Sequence, residues 1–89
     1  MKECYLEVTY RHGRPLAAYL YLPRGSREKS QRTAKAAAGL VIDFTRSGKP
    51  IGIEITAPSK ATAAAVNRVL KVLGFPPITQ ADLAPLRAA

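Results

Sequence analysis

The chain has 89 residues, enough for one domain and too few for two. It is 47% hydrophobic and 22% charged, which is a globular composition, and 14 Lys and Arg against 6 Asp and Glu give a net charge of +8. A single cysteine, Cys4, excludes an intrachain disulfide, and with one histidine it also excludes a structural zinc site within one chain.

Residues 3–10 alternate. Cys4, Leu6, Val8 and Tyr10 fall on one side and Glu3, Tyr5, Glu7 and Thr9 on the other, the period of a half-buried strand. Arg11-His12-Gly13-Arg14-Pro15 reads as a hairpin loop in which Pro15 ends the pairing. Residues 17–22 form a second strand, with Ala18, Leu20 and Leu22 on one face and Tyr19 and Tyr21 on the other. Pro23-Arg24-Gly25-Ser26 reads as a turn.

Residues 27–38 have fair helix propensity but no large apolar residue to bury, so an irregular polar edge strand is preferred over a helix. Leu40, Ile42 and Phe44 then alternate with Val41, Asp43 and Thr45. After a turn at Arg46-Ser47-Gly48-Lys49, Pro50 opens a strand in which Ile51, Ile53 and Ile55 alternate with Gly52, Glu54 and Thr56. Residues 59–73 read as the main helix, with Ser59 as N-cap. Its apolar stripe is Thr62, Ala65, Val66, Val69, Leu70 and Leu73, and Lys60, Asn67 and Lys71 lie opposite. Gly74 supplies a left-handed cap. Thr79-Gln80-Ala81-Asp82 resembles a capping box opening a short final helix over 79–88, which carries Leu83 and Leu86.

The expected fold is therefore α+β: a single domain built on an antiparallel β-meander of four or five strands over 3–56, with a C-terminal helix packed on one face. The aliphatic face is covered by the helix. The other face carries Tyr5, Tyr19, Tyr21 and Val41 with Glu7, Asp43 and Glu54, and no second long helix exists to cover it. Such a face suits self-association, because aromatic residues are enriched at interface cores. An aromatic sheet face also suits base stacking, but its carboxylates would repel phosphates.

Arg24, Arg27, Lys29, Arg32 and Lys35 fall within twelve positions with only Glu28 to offset them, a candidate nucleic-acid contact or a charged sheet edge. His12 has no Ser or Thr placed beside it in a catalytic motif. Asp43 and Glu54, on one face of adjacent strands, could approach each other as a carboxylate pair, although such pairs more often meet Arg or Lys. No Gly-rich phosphate loop is present. The expectation is a non-enzymatic protein with no cofactor and no metal. The start Met1-Lys2-Glu3-Cys4-Tyr5 has no long apolar run and no stretch approaches the ~20 apolar residues of a membrane span, so a cytoplasmic protein is expected.

Ala18-Tyr19-Leu20-Tyr21-Leu22, followed by Val41-Ile42-Asp43-Phe44, the Gly48 turn and Ile51-Gly52-Ile53-Glu54-Ile55, resembles the bacterial domain of unknown function 2283 family. The resemblance covers roughly residues 10–60. Where that family is acidic in its first loop and Asp-rich in its later turn, this chain has Arg11-His12-Gly13-Arg14 and Arg46-Ser47-Gly48-Lys49. The resemblance implies the meander and Gly52 as a site of close backbone approach. It implies no activity, and leaves an antitoxin-like regulatory role with a protein partner encoded nearby as an alternative.

Overall fold

The computed structural model describes residues 4–25 and 27–87. Glu3, Ser26 and Ala88, expected in the first strand, the 23–26 turn and the last helix, lie outside them. Five strands form one sheet: β1 (Tyr5–Arg11), β2 (Arg14–Tyr21), β3 (Arg32–Ala37), β4 (Leu40–Phe44) and β5 (Pro50–Ile55). Their order is β1-β2-β5-β4-β3 and every neighbouring pair is antiparallel. The sheet thus joins a hairpin, β1–β2, to a three-stranded meander, β3–β4–β5, along a seam between β2 and β5. One α-helix, α1 (Ala63–Leu73), comes after the sheet. The fold is α+β, as the alternation predicts, and residues 32–37 are the expected polar edge strand.

The first hairpin is tighter than its sequence suggests. Pro15 does not end the pairing; it lies in β2 opposite Tyr10, and Arg14 pairs with Arg11. Only His12 and Gly13 are left in the loop, at φ 53° and 76°. Positive φ at both central residues matches the right-handed twist of the flanking strands. The proline is tolerated because the register shifts beside it, between Thr9 and Tyr10 on the partner strand.

The hairpin between β4 and β5 turns on Thr45. Its backbone N–H donates to the Lys49 carbonyl at 2.8 Å, and its Oγ1 accepts the Lys49 N–H at 3.1 Å and exchanges a 3.0 Å hydrogen bond with Ser47 Oγ. Thr45 is buried, and this local satisfaction is what makes a buried hydroxyl tolerable.

The helix begins later than expected. Pro58–Lys60 form a separate 3-10 turn and Ala61 is extended, so Ser59 does not cap α1. Thr62 does: its Oγ1 accepts the Ala65 N–H at 3.1 Å. Thr62 is accordingly exposed rather than part of the buried stripe. At the other end Gly74 is left-handed, the Gly74 N–H donates to Lys71 and the Phe75 N–H reaches back to Leu70 at 2.9 Å. These two bonds satisfy carbonyls that the helix would otherwise leave open. Asn67, expected on the solvent side, instead clamps the chain beyond: its amide donates to the Ile78 carbonyl and its oxygen accepts the Ile78 N–H.

The capping box forms reciprocally, with the Thr79 N–H donating to Asp82 Oδ2 and the Asp82 N–H to Thr79 Oγ1. The box opens a turn and then a 3-10 helix, Ala84–Arg87, rather than an α-helix. Pro85, inside that stretch, has no N–H to continue an α-helical ladder.

The core lies between the sheet and this C-terminal part. Ala18, Leu20, Leu22, Leu40, Ile42, Ile53 and Ile55 from the sheet meet Val66, Val69 and Leu70 from α1 and Leu83 and Leu86 from the last turn. Leu6, Val8, Phe44 and Leu73 pack around them, and Ile51 is fully buried as well. Odd and even positions therefore separate across the middle of the sheet, while Tyr10 and Leu16, beside the register shift, stay exposed.

Candidate functional site

The face of the sheet opposite α1 is built by register. Tyr5 pairs with Tyr21, Glu7 with Tyr19, Tyr19 with Glu54, Tyr21 with Gly52, Val41 with Glu54 and Asp43 with Gly52. Tyr5, Tyr19, Tyr21, Val41, Asp43 and Glu54 thus share one surface, as expected. Tyr5 and Tyr21 stack with centroids 4.5 Å apart and planes 11° from parallel, and Tyr19 meets Tyr21 edge-on at 4.7 Å. The Arg24 guanidinium stands 5.1 Å from the Tyr21 centroid, a cation–π distance. Tyr5 remains 49% exposed.

Tyr19 does something the strand pattern alone does not reveal. From β2 it leans across β5 to β4, where its hydroxyl donates to Asp43 Oδ2 at 2.6 Å. The residue beneath it on β5 is Gly52, and a Cβ there would overlap the Tyr19 ring and hydroxyl. The close approach at Gly52 is thus made by the Tyr19 side chain, not by backbone as expected. Burial, then the bond to Asp43, holds the Tyr19 proton well above the ordinary tyrosine range. Burial and the neighbouring Glu7, whose Oε1 accepts the Tyr21 hydroxyl at 3.4 Å, raise Tyr21 as well.

This arrangement answers the carboxylate pair. Asp43 lies opposite Gly52 and Glu54 opposite Val41, so the two acids sit on a diagonal, with Asp43 taken by Tyr19 and Glu54 exposed. A diagonal in a sheet spans about 7–8 Å. His12, at the hairpin tip, is exposed. Burial pushes the Cys4 thiol up, away from the reactive thiolate.

The basic segment does not act as one cluster. Arg32 pairs with Phe44 and Lys35 with Val41, so they leave β3 on opposite faces. Arg32 lies 5.6 Å from the Phe44 centroid, whereas Lys35 edges the tyrosine face. Arg24 and Lys29 line an open cleft of about 440 Å³ beside Tyr19, Tyr21 and Glu7. Arg27 and Lys29 line a second cleft, where they meet Arg46, which lies outside the 24–35 run. The sequence does carry a signal for Arg46: a hairpin turn of Arg46-Ser47-Gly48-Lys49 is basic and must lie at a sheet end.

No family model matches this chain, and no curated protein or solved structure matches it either. Among the described residues, no helix is long and apolar enough to cross a membrane.

Proposed function

We propose that this protein is a non-enzymatic interaction module that pairs with a second copy of itself through the tyrosine face. The observation that carries this reading is the uncovered array Tyr5–Tyr21–Tyr19 on the sheet face opposite α1. A further feature supports it. Glu7, Asp43 and Glu54, three of the six acidic residues of a +8 chain, share that face, while Arg24, Lys29 and Lys35 stand around it. An isologous pairing whose two-fold axis is displaced toward the 24–29 loop brings acids of one copy near bases of the other. The face is small: five strands about 4.8 Å apart and six residues at about 3.3 Å each give a plate of roughly 24 by 20 Å, which suits a weak, transient pairing. A dimer with Kd on the order of 10 μM is the expected result, because copies of like net charge repel.

Sedimentation equilibrium tests this directly. The native chain should dimerise, and Tyr5→Glu, which places a charge on an exposed ring site, should leave a folded monomer. A native chain that stays monomeric across the micromolar range ends the reading. A cytoplasmic location goes with this function and draws support from the lone half-buried cysteine, since small exported domains are rich in disulfides.

A further inference from the structure

The loop before β3 and the turn between β4 and β5 come together at one end of the sheet. The Gln31 N–H donates to the Phe44 carbonyl at 2.8 Å, and Lys49 Nζ reaches Glu28 Oε1 at 2.7 Å. Between the two segments lies a shallow, open cleft of about 330 Å³, lined by Arg27, Glu28, Lys29, Gln31, Arg46 and Ser47. Glu28 is the only acid in that lining, and its charge is already engaged by Lys49 and by the Gly25 N–H at 2.6 Å. Those two contacts hold its carboxyl below the ordinary range, so it stays ionised and paired. Among the described residues Arg27, Lys29 and Arg46 have no acidic partner. Three cations without acidic partners, on two loops tied to each other, give this end of the sheet a positive local potential that attracts anions. Arg32, held over Phe44 and against Gly48, adds a fourth positive charge beside the turn.

We propose that this cleft is a binding site for the phosphate backbone of nucleic acid, with Arg27, Lys29 and Arg46 as the phosphate contacts. Guanidinium forks and an ammonium match phosphate oxygens, and Gln31 and Ser47 add uncharged hydrogen-bonding groups. The polar lining favours nucleic acid over a membrane, because it offers no apolar side chain to enter a bilayer. Of these three contacts only Lys29 also stands on the rim of the tyrosine face, and Arg27 and Arg46 line this cleft alone, so the Arg27 and Arg46 variants test it apart from the dimer reading.

Fluorescence anisotropy with a short labelled single strand and the corresponding duplex provides the test. At least one probe should bind at low salt, and log K should fall against log salt with a slope of about −2 to −3, as three phosphate contacts require. Arg27→Glu with Arg46→Glu should weaken binding at least about tenfold and flatten the slope by about 1.4–1.8. Lys60→Glu with Lys71→Glu, an equal charge change on exposed sites away from the cleft, should leave the slope within error. Arg27→Gln with Arg46→Gln repeats the first test without adding negative charge, and circular dichroism checks the fold of each variant. The proposal is overturned if neither probe binds, if the Lys60 and Lys71 reversals weaken binding as much, or if anionic vesicles bind as tightly as the oligonucleotides.

Discussion

A methyl group at position 52 would stand where the Tyr19 ring lies. Gly52→Ala must therefore either expel that ring or shift β5, and the expected cost is about 1–3 kcal/mol, read as a lower urea midpoint. Tyr19→Ala should remove most of the penalty of a subsequent Gly52→Ala change, so the two substitutions are strongly non-additive. Tyr19 also sets a pH dependence. Its folded value lies above its unfolded value near 10, so the unfolded chain releases the proton first as pH rises. The stabilisation is complete below about pH 10 and declines above it. Tyr19→Phe should blunt that alkaline decline in a pH series of urea midpoints, and in the native chain Tyr19 should be the last tyrosine to ionise by absorbance. At the hairpin tip, the φ of 53° at His12 suits Asn better than any β-branched residue. His12→Asn should hold or raise the thermal midpoint, and His12→Val should lower stability by about 1–2 kcal/mol.

Among the elements, β1, β2, β4 and β5 are the most readable, because a buried face and a wet face impose a period of two on them. The polar edge strand is legible for a negative reason: 27–38 offers a helix nothing to bury. The start of α1 is not, because Ser59 and Thr62 are both good caps and three residues apart. What decides between them is Pro58, buried against the sheet, which sets up a 3-10 turn before Ala61 straightens. Thr62→Ala should cost about 1 kcal/mol in thermal or urea unfolding, and Ser59→Ala close to nothing. The candidate surface divides in the same way. The tyrosine face comes from alternation alone. The Tyr19–Asp43 bond does not, because a side chain that crosses an intervening strand leaves no periodic trace, only a lone glycine within that strand. The grouping of Arg27 with Arg46 is hidden for another reason: nineteen positions of chain separate them, and only the sheet order returns them to one end.

Across the whole molecule, charge is divided rather than mixed. Glu7, Asp43 and Glu54 lie among the tyrosines, and Arg27, Lys29 and Arg46, without acidic partners among the described residues, lie at the sheet end that carries the 27–29 loop and the 45–49 turn. Both open edges of the sheet are guarded. β3 presents Arg32 and Lys35, and β1 carries Glu7 and Arg11, so indefinite strand-by-strand growth is discouraged. Association is thereby directed to the faces, and a dimer formed there should remain soluble at a size of two.

The seam between β2 and β5 governs how the chain acquires its shape. Leu20 meets Ile53 across it, while every other strand pair joins neighbours in sequence. Two locally closed units can thus assemble early, and their merger waits on the slower search that brings distant residues together. Tyr19, anchored in one unit and bonded to Asp43 in the other, acts as a latch that fastens only once the merger is complete. Removing its hydroxyl should leave the refolding limb of a chevron plot unchanged and hasten the escape from the native state, so the latch governs how long the assembled sheet lasts rather than how quickly it forms.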